Sequence, residues 1–150
     1  MEPVVAEVVR GFKDVHAKLR DEVRGMDREE LNWAPGQETN SAAVLVAHTL
    51  GSEMEMIRIV ANAPHERDRA AEFRTEAASA EDMLALLDEA DALLDELGPK
   101  ITAEDLAARR PRQDNPPSPG LHWLVTNYGH AREHLAHIQL TRQLYANRGG

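Results

Sequence analysis

The sequence predicts an all-α protein, a four-helix bundle formed by a single domain over residues 1–150. Four segments place apolar residues three or four positions apart, which is the spacing of amphipathic helices rather than of strands. The composition, with 42% apolar and 29% charged residues, is that of a globular chain long enough to bury a core. Four long amphipathic helices in one domain pack together as a four-helix bundle.

The first predicted helix covers residues 3–26. Its apolar side chains recur at helical spacing, at Val5, Val8, Val9, Phe12, Val15, Leu19 and Val23. The segment after it contains Trp33, Pro35 and Gly36, which end any regular helix.

The second and third predicted helices cover residues 41–62 and 79–97. Asn40-Ser41 supplies a capping side chain ahead of a run rich in Ala, Val and Leu, and Gly98-Pro99 ends the third helix. The link between them is roughly 16 residues long, includes a charged run at 65–69, and can cross the bundle. This length is compatible with second and third helices that run parallel.

The fourth predicted helix is the longest, beginning at Ser118-Pro119 and reaching Tyr145. Before it, residues 102–105 have the pattern of a capped helix start and predict a short helix. Residues 109–120 contain four prolines and are predicted to form a loop.

The charge and the absence of cysteine limit the chemistry. Seventeen Lys and Arg against 26 Asp and Glu give a net charge of −9, which repels phosphate backbones and anionic lipids, so we expect neither a nucleic acid nor a membrane partner. No signal peptide is visible, so we expect a cytoplasmic protein. With zero Cys, the chemistry must use His, Asp, Glu or a bound cofactor.

A pair of histidines in the fourth helix could bind a metal ion. His130 and His134 are four residues apart, so they lie on one helical face and can converge on one ion. The zinc-protease motif is absent, because Ala131 stands where that motif needs Glu. His48, in the apolar second helix, is a candidate third ligand. From these residues alone, an equally open interpretation is that the histidines form a row of polar side chains in the core and bind no metal.

Several short motifs in a specific order resemble a known family over essentially the whole chain. The sequence is similar to the DinB/YfiT-like metalloenzymes. The motifs are Leu31-Asn-Trp33-Ala-Pro35, Asn40-Ser41, Leu45-Val-Ala-His48 followed by Glu53, His130-x3-His134, and a final segment rich in Gln and Arg from Gln139 to Arg142.

The resemblance implies a fold and a ligand set. It implies a four-helix bundle with up-down-down-up topology, and a divalent metal ion held by His48, His130 and His134. Imidazole ligands suit both zinc and nickel, and we expect one of these two ions.

Three further residues are candidates for supporting the metal ligands. His137 lies three residues after His134, where family members often have Gln, and could support a ligand, replace one, or lie at the rim. Glu53 and Glu55 follow His48 by five and seven residues, although a carboxylate on a helix of an acidic chain is usually solvated.

The remaining histidines and a short basic run have no predicted role in the site. His16, His65 and His122 have no partner at metal spacing and are predicted to be structural or surface residues. The run from Arg109 to Arg112 is predicted to be a solvated loop.

Three functions fit these observations. The first is a metal-dependent enzyme for a small-molecule substrate, in which the ion lowers the pKa of a water or a low-molecular-weight thiol for transfer, isomerisation or hydrolysis. No catalytic residue is assigned. The resemblance does not extend to mycothiol-dependent maleylpyruvate isomerase activity, because that enzyme has a carboxylate in place of His130 and a further C-terminal domain. The alternatives are a metal-binding module without turnover and a helical bundle for association.

We also expect a homodimer. The family resemblance implies it, and the first helix has adjacent apolar pairs across a wide band, at Val4, Val5, Val8 and Val9.

Overall fold

Four long helices form most of the protein in this computed structural model, which describes residues 1–149. Their order, with three short helices and one hairpin between them, is α1 (Pro3–Arg24), α2 (Arg28–Asn32), α3 (Ala42–Val60), α4 (Arg69–Glu72), α5 (Ala80–Leu97), α6 (Ala103–Ala107), β1 (Arg109–Arg112), β2 (Asn115–Pro119) and α7 (Gly120–Ala146).

The long helices pack as the predicted four-helix bundle. Helix α3 packs against α5 and α7, and α1 packs against the same two helices, so each long helix has two long neighbours. The fold class is therefore confirmed, while the up-down-down-up order stays a prediction.

Local capping explains where the helices begin. The Ser41 side chain accepts a hydrogen bond from the Val44 backbone N–H at 3.1 Å, so the predicted start of the second helix is confirmed. Thr102 and Asp105 form a reciprocal capping box at the start of α6, which confirms the predicted short helix. Helices α2 and α4 lie in predicted links, because four or five residues are too few to show an apolar period.

The prediction of a loop over residues 109–120 is wrong. The segment forms an antiparallel hairpin in which Arg109 pairs with Pro119 and Arg112 pairs with Asn115. Prolines are tolerated here because each strand of a two-stranded hairpin has an edge that needs no ladder hydrogen bonds. The hairpin packs against α3 and α7, and it brings the basic run onto the bundle.

The apolar pairs of α1 divide between the core and the surface. Val5 and Val9 are buried, whereas Val4 is 38% exposed and Val8 is half-buried. The dimer stays a prediction, which light scattering tests. No helix within residues 1–149 is long and apolar enough to cross a membrane.

Candidate metal centre

Three imidazole rings meet between α3 and α7. His48 comes from the middle of α3, and His130 and His134 lie one turn apart on the facing side of α7. The Nε2 atom of His130 lies 3.2 Å from Nε2 of His48 and 3.0 Å from Nε2 of His134. The structure therefore brings together the three residues predicted as metal ligands.

The spacing of the three nitrogens fits one metal ion. Ligand nitrogens at about 2.0–2.1 Å from an ion lie about 2.9 Å apart at octahedral angles and about 3.4 Å apart at tetrahedral angles. The observed separations of 3.0 and 3.2 Å lie between these limits. In the tautomer with the proton on Nδ1, the three Nε2 lone pairs face one another, and a single cation between them would bind all three.

The electrostatics keep two of the rings neutral, which is the form that binds metal. Burial, followed by the neighbouring rings of His134 and His48, lowers the pKa of His130 to about 4. Burial, followed by the rings of His48 and His137, lowers the pKa of His134 to about 4. Both imidazoles therefore present lone pairs at neutral pH.

A carboxylate that the sequence analysis missed orients His48. Oε1 of Glu72 lies 3.0 Å from Nδ1 of His48, so a proton on Nδ1 is donated to the carboxylate and the Nε2 lone pair is directed at the other rings. Glu72 accepts two hydrogen bonds from Arg67, from Nε at 2.8 Å and from Nη2 at 2.7 Å. Burial would raise the pKa of Glu72, but the bonds from Arg67 and His48 outweigh burial and lower this pKa.

A glycine makes room for this carboxylate. A Cβ added to Gly51, one turn after His48 in α3, would lie 2.1 Å from Oε2 of Glu72. Glycine inside a helix is unfavourable by about 1 kcal/mol relative to alanine, so its presence there indicates a close approach. Gly51 is the one local signal in the sequence that something packs against this turn.

His137 contacts the cluster from the exposed end. Its Nδ1 lies 3.2 Å from Nδ1 of His134, the nitrogen that does not face His130. His137 therefore lies beside a predicted ligand, as the spacing of three residues suggested. On the other side of the cluster, Nδ1 of His130 is buried and has no hydrogen-bond partner within residues 1–149.

Glu53 belongs to a separate buried cluster. Its Oε2 lies 2.9 Å from Nε2 of His16, and Nδ1 of His16 lies 2.6 Å from Oδ1 of Asp91. His16 is fully buried, in agreement with a structural role. Burial lowers the pKa of His16, but the bonds from Glu53 and Asp91 outweigh burial and raise the net pKa. Glu53 is thus directed to His16 instead of supporting a ring of the three-histidine cluster.

Glu55 supports the centre only at a distance. It accepts hydrogen bonds from Nε of Arg112 at 3.1 Å, from Nε2 of Gln113 at 3.2 Å and from Nη1 of Arg67 at 3.5 Å. Nη2 of Arg67 lies 3.4 Å from Nδ1 of His48, so Arg67 separates Glu55 from the ring that Glu55 was expected to contact.

The prediction of a solvated basic loop is wrong for Arg112. Its side chain is 11% exposed, and its Nη2 donates to the backbone oxygen of Ser52 at 2.9 Å and to Ser52 Oγ at 2.7 Å. The hairpin buries this arginine because it folds back onto α3.

A cavity of about 280 Å³ opens beside the three-histidine cluster. His48 and His130 line it, together with Arg67, Arg69 and Arg112. Its volume is close to that of small-molecule sites. The cluster therefore has a space next to it that a small molecule can enter.

The sequence matches a known protein family. A family model described as the DinB superfamily matches residues 11–138. A comparison with curated proteins gives no match.

The structure is similar to solved structures of low sequence identity. A conserved protein from Enterococcus faecalis has 18% identity and a TM-score of 0.79, with 96% of this chain and 98% of that chain covered. YfiT from Bacillus subtilis, described as a probable metal-dependent hydrolase with an unusual four-helix bundle topology, has 18% identity and a TM-score of 0.77, with 97% and 90% covered. A DinB-like protein from Bacillus subtilis has 16% identity and a TM-score of 0.70, with 93% and 92% covered. At these identities the similarity shows the fold.

Proposed function

Because the chain belongs to the DinB superfamily and gathers three imidazoles at one point, we propose that it is a metal-dependent hydrolase for a small molecule. The description of YfiT as a probable metal-dependent hydrolase supports the reaction class.

One observation carries the proposal, namely the convergence of three Nε2 atoms at one edge of a cavity. Three protein ligands leave further positions on a divalent ion, which is the arrangement of catalytic rather than structural sites. His48 and His130 both line the cavity, so an ion held by them would lie next to the space where a substrate would bind.

The protein groups around the cluster have separable roles. A divalent ion held there would lower the pKa of a water molecule and polarise an acyl or phosphoryl oxygen. Glu72 holds His48 in the orientation and tautomer that present Nε2 to the ion, and Arg67 fixes Glu72. His137 can hydrogen-bond His134 from the outer side.

We propose zinc or nickel as the ion, since imidazole nitrogen suits both. Elemental analysis of untagged protein after reconstitution with each ion measures this directly. A stoichiometry of about one ion per chain supports the proposal, and less than about 0.2 with either ion contradicts it.

Hydrolysis is tested with a panel of small carboxylic esters, amides and phosphate esters. We expect turnover that chelation removes, that the reconstituting ion restores, and that His134→Ala abolishes. The matched control is His65→Ala, which removes an exposed imidazole from the link between α3 and α5. Full metal occupancy without turnover on any substrate would instead favour the metal-binding module.

Thiol transfer is a second candidate function. With zero Cys in the chain, any sulfur nucleophile must come from a low-molecular-weight thiol co-substrate. A reaction that requires added thiol as well as the ion would favour transfer over hydrolysis.

A further inference from the structure

We infer that the cavity beside the three-histidine cluster binds an anionic oxygen group of the substrate, a carboxylate or a phosphate, through Arg69 and Arg112. The inference rests on the proposed function, since the anionic group would be part of the molecule on which the metal centre acts.

The charge of the cavity is opposite to that of the chain. The protein has a net charge of −9, with 26 acidic residues. The charged residues that line the cavity, within the part of the chain that the structure describes, are Arg67, Arg69 and Arg112, and no Asp or Glu is among them. A concave site with one sign of charge concentrates ligands of the opposite sign.

Arg112 is a buried cation with an unused donor. Its Nε and Nη2 are bound to Glu55 and Ser52, whereas Nη1 has no hydrogen-bond partner within residues 1–149. Glu55 also accepts hydrogen bonds from Gln113 and Arg67, while Glu72 binds Arg67 as well. Burial, which exceeds the effect of Glu55, lowers the pKa of Arg112. An incoming anion could accept a hydrogen bond from the Nη1 that Glu55 and Ser52 leave unused.

Arg69 is held in place without a carboxylate. Its guanidinium carbon lies 4.9 Å from the centre of the Phe73 ring, and the Phe73 ring lies 4.8 Å from the ring of His48. No salt bridge or hydrogen bond from its side chain occurs within the described residues 1–149. Its planar set of N–H donors therefore lies at the exposed rim of the cavity. There it is free to bind a carboxylate or a phosphate through two parallel hydrogen bonds.

Two of the residues that line the cavity each have a buried polar atom without a hydrogen-bond partner within residues 1–149. Asn127 is 2% exposed, its Nδ2 donates to Ser52 Oγ at 2.9 Å, and its Oδ1 has no partner within the described chain. Nδ1 of His130 is also buried and has no hydrogen-bond partner within the described chain. Both atoms are shielded from solvent, so the arginines are the polar groups that a molecule entering the cavity would meet.

The geometry also limits the size of this substrate. The arginines line the same cavity of about 280 Å³ as His48 and His130, so the anion and the reacting group must belong to one small molecule. We therefore expect small carboxylate-bearing or phosphate-bearing substrates to be hydrolysed in preference to neutral analogues of the same shape.

Anion binding can be measured separately from turnover. The probes are inorganic phosphate, succinate and the neutral analogue succinamide, titrated by calorimetry or NMR into the full chain, both zinc-loaded and in the presence of a chelator. We expect phosphate or succinate to bind and succinamide not to bind. Hydrogen bonds to charged groups contribute about 1.5–3 kcal/mol, so Arg69→Gln should weaken anion binding about tenfold or more.

The variants separate anion recognition from folding. Arg69→Gln removes no hydrogen bond found within residues 1–149 and loses only the contact with the Phe73 ring, and circular dichroism checks that the variant stays folded. Arg112→Lys keeps the charge and loses the planar fork, and should also weaken binding. The control Arg24→Gln removes one exposed positive charge from α1 and should leave binding unchanged.

Each outcome has a defined meaning. Phosphate binding without succinate binding identifies the group as a phosphate, and the reverse identifies a carboxylate; either supports the inference. Absence of binding, or binding that Arg69→Gln and Arg112→Lys leave unchanged, overturns it. Arginine-dependent binding in a chain that takes up no metal would overturn the proposed hydrolase alone. Metal uptake without anion binding would overturn this inference alone.

Discussion

Two groups of histidines in this protein have opposite surroundings. In the three-histidine cluster, the Nε2 atoms of His48, His130 and His134 face one another. In the second group, carboxylates flank both nitrogens of His16, from Glu53 on one side and Asp91 on the other. His16 is fully buried, whereas of the three-histidine cluster only His48 is buried and the other two rings are half-buried.

The difference lies in the neighbours and decides the chemistry. Burial and the adjacent imidazoles lower the pKa of His130 and His134 to about 4, which keeps them as neutral electron-pair donors. The two carboxylates raise the pKa of His16 against the effect of burial, which favours a cation already neutralised by the protein. One group offers lone pairs that an external cation could bind, and the other group favours a positive charge of its own between two carboxylates.

The largest expected effect is the loss of tight metal binding in His134→Ala, because two ligands remain where three are needed. His16→Ala, the matched removal of a buried histidine, should leave metal stoichiometry unchanged. Elemental analysis of both variants after reconstitution measures this. Metal loss in His16→Ala, in a chain that is still folded by circular dichroism, would contradict the separation of the two groups.

The second effect is on stability. Glu53→Ala leaves the fully buried His16 without one of its two carboxylates, and breaking a buried ion pair costs about 3–5 kcal/mol. Urea denaturation of the chelated protein measures the free energy of unfolding. Asp88→Ala, at a position where the carboxylate is largely exposed, is the control and should change stability by less than about 1 kcal/mol. An equal loss in both variants would count against a special role for the buried pair.

The third effect is weaker metal binding when the carboxylate behind His48 is disturbed. Glu72→Gln should lower metal affinity about 10–100-fold, since a carboxylate that orients a histidine ligand contributes this much. Gly51→Ala should act in the same direction, because a Cβ there would displace the Glu72 carboxylate. Competition with a chromophoric chelator measures the affinity. Unchanged affinity in both variants would show that His48 needs no partner.

The two groups should also respond to pH in opposite directions. The raised pKa of His16 gives stability that is present below the unfolded pKa of about 6.5 and is lost as the pH rises through the folded pKa. The lowered pKa of His130 and His134 works in reverse, since those rings resist protonation in the folded chain.

Measurements on the chelated chain at pH 5, 7 and 9 test this. The difference in unfolding free energy between wild type and His16→Gln should shrink as the pH rises. Over the same range, wild type should become more stable relative to His134→Ala. In the loaded chain, metal occupancy should fall as the pH approaches 4, since protons then compete at His130 and His134. An ion retained undiminished at pH 4 would indicate carboxylate ligands.

The smallest effect is expected at His137. It contacts the outer nitrogen of His134 and is exposed, so His137→Ala should weaken metal binding by at most about tenfold. The same chelator competition measures it. A complete loss of binding would make His137 a ligand and would enlarge the cluster to four imidazoles.

The sequence by itself determined the local features of this protein. The apolar spacing of three and four predicted all four long helices, since that period is a property of each segment alone. The spacing of four residues placed His130 and His134 on one face for the same reason. His48 was a candidate third ligand from its place in the apolar second helix, the DinB/YfiT-like resemblance implied it as a ligand, and the structure places its ring against the other two.

Only the tertiary structure decided which carboxylates and cations surround the histidines. Glu72 lies 24 residues from His48, and Arg112 lies 57 residues from Glu55, so neither contact has a local signal. Glu53 and Glu55 are neighbours on one helix, yet one contacts His16 and the other contacts the hairpin. Successive positions on a helix point in different directions, and what each side chain meets depends on which element packs there. The cavity with its three arginines exists because α4 and the hairpin fold against α3, an arrangement that no spacing along the chain encodes.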